Sequence, residues 1–226
     1  MKKTAISSSI AIVCALLISA CGGGGDDGSN IPVYASCGNT PNYNNQIGAI
    51  RWRQFPLTVN MDLLDAPNVS VGTNREMYTR VITDGLAAWT AAGGGIGSFR
   101  FVNSADADIF VRFGDAGAAI RAVGGTPSAG TLGVTIYKRE GNYPNSYIAK
   151  GTTITIDRLA FSNLMLATSL NYEAILQGTV FHEMGHALFS NGHPNVFGSV
   201  MSAPPGSVLF PGIYDINSIR EAYCRP

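Results

Sequence analysis

The pattern His182-Glu183-Met184-Gly185-His186 constrains this chain more than any other stretch, because it uses two of only three histidines in 226 residues. Histidines four positions apart on a helix project from one face, about one turn apart, so both imidazoles can bind one metal ion. Glu183, beside the first histidine, is placed to take a proton from a water molecule at that ion. The alternative interpretation is an ordinary helix with surface histidines.

The third histidine, His193, follows just after Asn191-Gly192, a pair typical of a helix end and a turn. Met201 comes eight residues later in a Gly/Pro-rich segment. This arrangement resembles the metzincin clan of zinc proteases, whose pattern is H-E-x-x-H-x-x-G-x-x-H followed by a methionine turn. Two details depart from the pattern, since Phe189 occupies the glycine position and His193 comes one residue late. We interpret the departure as a turn that is one residue longer.

The resemblance implies one catalytic zinc ion held by His182, His186 and His193, with an open position for water. Glu183 would serve as the general base, and Met201 would form an apolar floor beneath the ion without binding it. The chain would then be a zinc endopeptidase that acts on protein or peptide substrates.

Two other hypotheses keep the same pair of histidines. In the first, the longer turn misplaces His193, and the chain is a proteolytically silent zinc-binding module that captures peptides or proteins. In the second, the third ligand is a downstream carboxylate, Asp215 or Glu221, as in other H-E-x-x-H proteases.

The remaining sequence predicts an α+β fold. Apolar residues alternate with polar ones in several short stretches, and in longer stretches apolar residues recur every three or four positions. Strands are predicted at 55–61, 99–101, 107–113 and 151–157, and helices at 74–92 and 171–189. The order strand, helix, strand, strand implies a crossover and a twisted mixed sheet with helices packed on it.

Among metzincins, the chain is most similar to the matrixin catalytic domain, with a backing helix, an active-site helix and a C-terminal helix. The similar stretches are 87–89 (Ala-Ala-Trp), 107–109 (Ala-Asp-Ile) and 214–223. The stretch 130–134 resembles the upper rim of the family's cleft, which binds an extended peptide as an added strand. This implies substrate binding at Leu132, Gly133 and Val134, and an ordinary edge strand is the alternative.

Other features of the matrixins are missing from this chain. No histidines remain for a second, structural zinc ion, and Ala203 stands where astacins and serralysins have a tyrosine ligand. Calcium binding is possible but unsupported: the candidate oxygen donors lack the spacing of an EF-hand loop. These donors are Asp106, Asp108, Asp115 and Asp157.

The N-terminal segment indicates export. Residues 1–20 combine a basic start with a short apolar stretch, which is typical of a signal peptide and too short to span a bilayer. The stretch 18–21 resembles a bacterial lipoprotein box, which implies lipid attachment at Cys21. An ordinary signal peptide cut after Ala20 is the alternative. Residues 21–30 are Gly-rich and polar, as in a flexible tether, and 31–226 are predicted to form a single domain.

The N-terminal segment and the composition also predict where the protein is located and which partners it has. The mature chain would be anchored through lipid to a bacterial membrane; Gly22 after the cysteine favours the outer membrane, facing the periplasm or the cell surface. In an oxidising compartment Cys37 and Cys224 would form a disulfide, although Cys37 is alternatively a cysteine switch whose thiolate caps the zinc. Net charge is zero, with no basic stripe for nucleic acid. We expect a monomer.

Overall fold

The computed structural model describes residues 50–141, 147–167, 171–189, 192–194, 196–202 and 208–224. These residues form five helices and a five-stranded mixed sheet, which agrees with the predicted α+β class. The helices are α1 (Gly72–Ala92), α2 (Ala116–Ala122), α3 (Arg158–Ala167), α4 (Tyr172–Leu188) and α5 (Ile213–Cys224). The predicted signal, tether and Cys37 lie outside the described residues.

The main sheet has five strands in the order β2-β1-β3-β7-β4. Four of them run parallel, and β4 pairs antiparallel with β7 at one edge of the sheet. These strands are β1 (Leu57–Asp62), β2 (Phe99–Phe101), β3 (Ile109–Gly114), β4 (Gly133–Ile136) and β7 (Thr152–Asp157). A separate pair, β5 (Arg139–Glu140) and β6 (Tyr147–Ile148), forms a short antiparallel ladder.

Strand β3 shows the alternating burial that its sequence predicts. Ile109, Val111 and Phe113 of β3 are buried, while Phe110 and Arg112 between them are not. This period of two places every second side chain of a strand on the same face. The inward side chains join one hydrophobic core with residues of α1, α4 and α5.

Helices α1 and α4 pack together in that core. At one end, the hydroxyls of Tyr78 and Tyr172 lie 2.8 Å apart, and the Tyr78 ring meets Phe113 of β3 edge-on. Further along, the indole nitrogen of Trp89 donates a hydrogen bond of 2.8 Å to the main-chain oxygen of Phe181. These contacts hold α4, which carries the H-E-x-x-H residues, against the rest of the core.

The sequence did not predict α2, α3, β5 or β6. Helix α3 is rich in apolar residues and two of them, Leu159 and Leu166, are exposed, so its sequence does not mark a single buried face. No helix in the described part of the chain is both long and apolar enough to cross a membrane.

Candidate metal centre

Helix α4 holds the first two candidate ligands within the core. It begins at Tyr172 and ends at Leu188, close to the predicted limits, although the side chain of Asn171 makes no capping hydrogen bond. Almost every residue from position 178 to 188 is buried, including His182 and Glu183, which are 2% and 4% exposed. A helix packed on most sides restricts the rotation of its side chains, as a preorganised metal site requires.

The three histidines meet at one point. The Nε2 atoms of His182, His186 and His193 form a triangle in which each side measures 3.1 Å. In the described residues, this is the one group of three potential ligands close enough to hold a metal ion. Two nitrogens bound to a tetrahedral zinc ion at 2.0–2.1 Å lie about 3.3 Å apart. The triangle therefore fits an ion of that size, with His193 as the third ligand.

The tautomer of His182 follows from its surroundings. Its Nδ1 lies 2.8 Å from the main-chain oxygen of Val200, which can only accept a hydrogen bond. Nδ1 therefore carries the proton, and the lone pair of Nε2 points towards the other two histidines. Burial lowers the pKa of His182 to about 4, although the bond to Val200 acts in the opposite direction. The imidazole is consequently neutral near pH 7, the form that binds metals.

The segment that contains Met201 contacts His182 through the main chain of Val200 and is held by Asp215. The Asp215 carboxylate accepts hydrogen bonds from the hydroxyl of Ser199 (2.5 Å) and from the main-chain nitrogens of Val200 (2.9 Å) and Gly212 (2.8 Å). Burial raises the pKa of Asp215, while these bonds lower it.

Neither downstream carboxylate belongs to the metal-binding group. Asp215 is fully buried, and its carboxylate accepts hydrogen bonds from the Met201 segment. Glu221 is also buried and does not belong to the group of three histidines. The hypothesis of a carboxylate as third ligand is therefore not supported, because the group of three potential ligands is completed by His193.

The sulfur of Met201 reaches α4 at Gly185, between the two helix ligands. A Cβ atom at Gly185 would overlap the Met201 sulfur and come within 2.9 Å of the Trp89 ring. Met201 is itself 1% exposed. The glycine within the H-E-x-x-H pattern thus allows Met201 and α1 to approach the ligand helix closely.

A cavity of about 520 Å³ opens beside the histidines. One wall consists of the three histidines and Glu183, and the other of β4 with the loop that precedes it. The predicted substrate-binding residues Leu132, Gly133 and Val134 all line this cavity. Among the described residues β4 pairs with one strand only, β7, so it forms an edge of the main sheet.

The carboxylate of Glu183 contacts Thr135 of β4, a residue that the sequence analysis did not select. The Thr135 hydroxyl lies 2.8 Å from the Oε2 atom of Glu183. Burial raises the pKa of Glu183 to about 7, and the bond to Thr135 lowers it. No sequence motif marks Thr135, because its role depends on how β4 lies against α4.

The possible calcium ligands have structural partners instead. Asp108 accepts hydrogen bonds from both the nitrogen and the hydroxyl of Thr58, and Asp106 pairs with Lys150. Asp115 caps α2, and Asp157 accepts hydrogen bonds from the first turns of both α2 and α3. None of the four joins a group of three ligands among the described residues.

Comparison with known proteins assigns no family to the chain. No protein-family model matches it, and no curated protein matches it significantly. Its established features are a mixed α+β fold and three clustered histidines that can hold a metal ion.

Proposed function

We propose that this protein is a zinc-dependent endopeptidase of the metzincin type, most similar to the matrixins. The observation that carries the proposal is the convergence of three Nε2 atoms and the Glu183 carboxylate on one wall of a cavity. Three neutral imidazoles with room for a further ligand are typical of catalytic zinc sites, whereas structural zinc sites are closed by four protein ligands.

The chemistry divides between the metal and the protein. A zinc ion held by the histidines would polarise the scissile carbonyl and make water more acidic. A Glu183 carboxylate oxygen would take the proton of the attacking water and then transfer it to the leaving amine nitrogen. The carboxylate is suited to this role because it lies at the cavity wall and is shielded from bulk water.

The substrate would bind along β4 as an added strand. The edge of β4 that pairs with no other described strand would offer main-chain hydrogen bonds to an extended peptide, and Leu132, Gly133 and Val134 border the cavity. Main-chain pairing accepts many sequences, so the preference for particular residues would come from the cavity walls. The proposal thus includes unfolded or extended segments of proteins as substrates.

Export and membrane attachment belong to the same proposal. Lipid on Cys21 and the Gly-rich tether at 21–30 would hold the domain near a bacterial membrane, most simply the outer membrane. Protein substrates in the periplasm or at the cell surface would then be within reach.

The first prediction concerns the ligands and the base. We expect residues 31–226 to bind one zinc ion and to cleave members of a broad peptide library, with cleavage abolished by a chelator. Glu183→Gln should keep the zinc ion but lose about 100- to 10,000-fold in kcat, because the proton acceptor is removed. His193→Ala should lose most of the bound zinc. Metal content and cleavage rate are measured on the same preparations.

Each contrary outcome has a distinct meaning. Full turnover by Glu183→Gln would exclude Glu183 as the base, and unchanged zinc in His193→Ala would exclude His193 as a ligand. Bound zinc without cleavage of any peptide by the unaltered chain would favour the silent peptide-binding module or a latent form capped by Cys37, and the same result with Cys37→Ser would refute the endopeptidase.

A further inference from the structure

The Thr135 hydroxyl contacts two different oxygens of Glu183. It lies 2.8 Å from the carboxylate Oε2 and 2.8 Å from the main-chain oxygen of the same residue. The sequence separation is 48 residues, so the contact exists only because β4 packs against α4. A hydrogen bond to a shielded carboxylate is charge-assisted, which makes it stronger than an ordinary one and directional.

Gly133 contributes to the same arrangement from two positions earlier on β4. Residues two apart on a strand point to the same face, so Gly133 and Thr135 both face α4. A Cβ atom at Gly133 would lie 2.9 Å from Cγ of Glu183 and 3.1 Å from its Oε1. The side chain of Glu183 therefore passes over Gly133, where there is room, and ends at the hydroxyl of Thr135.

We propose that Thr135 is the positioning residue of Glu183: its hydroxyl holds Oε2, so that Oε1 is the oxygen that exchanges protons with the reactants. This inference rests on the proposed function. Because β4 also borders the peptide site, one strand would position both the substrate and the base. The distance between the scissile bond and Oε1 would then be set by a single structural element.

The alternative is that the Thr135 hydroxyl is only structural and satisfies the main-chain oxygen of Glu183. In that case, removing the hydroxyl would lower the stability of the fold without changing the turnover of the folded enzyme. The two roles therefore differ in kcat, in rescue by serine and in the location of the carboxylate.

The experiment compares Thr135→Val, which removes the hydroxyl at nearly constant volume, with Thr135→Ser, which keeps it. Thr153→Val on β7 is the matched control, since its hydroxyl makes only a 3.5 Å contact with the oxygen of Gly151. We expect Thr135→Val to lose about 10- to 100-fold in kcat, as is typical when a supporting hydrogen bond in a metal site is removed. KM and zinc content should be unchanged, Thr135→Ser should recover most of the activity, and Thr153→Val should resemble the unaltered enzyme.

Crystal structures of the metal-free unaltered protein, Thr135→Val and Thr135→Ser supply a readout that is independent of hydrolysis. The Glu183 carboxylate should leave its place beside residue 135 in the valine variant and keep that place in the serine variant. If Thr135→Val does not fold, Thr135→Ala, which introduces no new methyl contacts, replaces it in both measurements.

Either of two results would overturn the inference: kcat of Thr135→Val equal to that of the unaltered enzyme, or a Glu183 carboxylate that does not move in that variant. Failure of the proposed function is distinguishable, because the unaltered enzyme would then show no chelator-sensitive cleavage. The crystal structures would still decide whether Thr135 holds the carboxylate.

Discussion

Asp215 connects the Met201 segment to the candidate ligand His182 but does not belong to the group of three histidines. Its carboxylate accepts a hydrogen bond from the main-chain nitrogen of Val200, and the oxygen of Val200 in turn accepts a hydrogen bond from Nδ1–H of His182. A hydrogen bond at the ring nitrogen that does not bind the metal fixes the orientation of an imidazole ligand and keeps its other nitrogen unprotonated. The orientation of His182 thus depends on a residue of α5 that is 33 positions away in the sequence.

This chain of bonds predicts a large effect of Asp215→Ala. The hydroxyl of Ser199 and the main-chain nitrogens of Val200 and Gly212 would each lose their acceptor in a buried location. We expect the free energy of unfolding of the metal-free protein to fall by about 3 kcal/mol. Zinc affinity should also fall, by about 10- to 100-fold. Urea denaturation and zinc titration measure the two effects.

Asp65→Ala is the matched control for that substitution. Asp65 is exposed and forms a 3.8 Å ion pair with Arg158, so its removal should change the free energy of unfolding by less than about 1 kcal/mol. If Asp215→Ala were as mild as this control, Asp215 would not support the Met201 segment.

At the level of elements, the packing of α1 against α4 depends on glycine on both helices. A Cβ atom at Gly85 of α1 would lie 2.8 Å from the Met184 sulfur and 2.9 Å from the Phe181 ring, and Gly185 of α4 similarly faces Trp89. Helices approach each other most closely where no side chain separates them. Helix α4, which carries His182 and His186, therefore has little freedom to move relative to α1.

We predict that Gly85→Ala destabilises the protein although alanine is the better helix former. The gain in helix propensity is about 1 kcal/mol, and the cost of a methyl group forced into a filled core is about 1–3 kcal/mol. The net loss should appear as a lower midpoint of urea denaturation. Gly72→Ala on the same helix is the control, because a Cβ atom there meets nothing within 4 Å. A stabilised Gly85→Ala would show that α1 and α4 are not tightly packed.

Helices α2 and α3 show why some elements escaped prediction. Their N-terminal signals were present in the sequence, since Asp115 and Asp157 accept hydrogen bonds from main-chain nitrogens three residues ahead. We interpreted the same aspartates as possible calcium donors. The helices that follow are short or apolar on most sides, so periodicity gave no second indication.

At the scale of the whole molecule, residues from both ends of the described chain meet at the carboxyl end of α4. The indole nitrogen of Trp52 donates a hydrogen bond of 2.8 Å to the main-chain oxygen of Ala187. The hydroxyl of Tyr223 donates a hydrogen bond of 2.5 Å to the main-chain oxygen of Leu188. The main-chain nitrogen of Ile50 donates to the oxygen of Phe189 at 2.9 Å. These donors supply hydrogen bonds to the last main-chain oxygens at the carboxyl end of α4, just before His193.

The predicted disulfide between Cys37 and Cys224 would also join the two ends of the domain. Cys37 lies outside the described residues, and α5 ends at Cys224. If the two are joined, Cys37→Ser should lower the free energy of unfolding by about 4–5 kcal/mol in the chain-entropy model, because a very long loop is released. Peptide mapping without reductant identifies the pair, and urea denaturation measures the stability.

The cysteine switch predicts a different result for Cys37→Ser. Activity would rise without a large loss of stability, because a thiolate that caps the zinc would be removed. Two free thiols in the unaltered exported protein would contradict the disulfide.

The sequence by itself determined the pair His182 and His186 and most of the longer elements. His182 and His186 are brought together by the local geometry of one helix, and alternation marked β1, β3 and β7, because both signals depend on residues near each other in the chain. Only the tertiary structure decided the place of His193, the support of His182 by Asp215 and the contact of Thr135 with Glu183. Those contacts join residues up to 48 positions apart, and long-range packing of β4, α4 and α5 has no local pattern in the sequence.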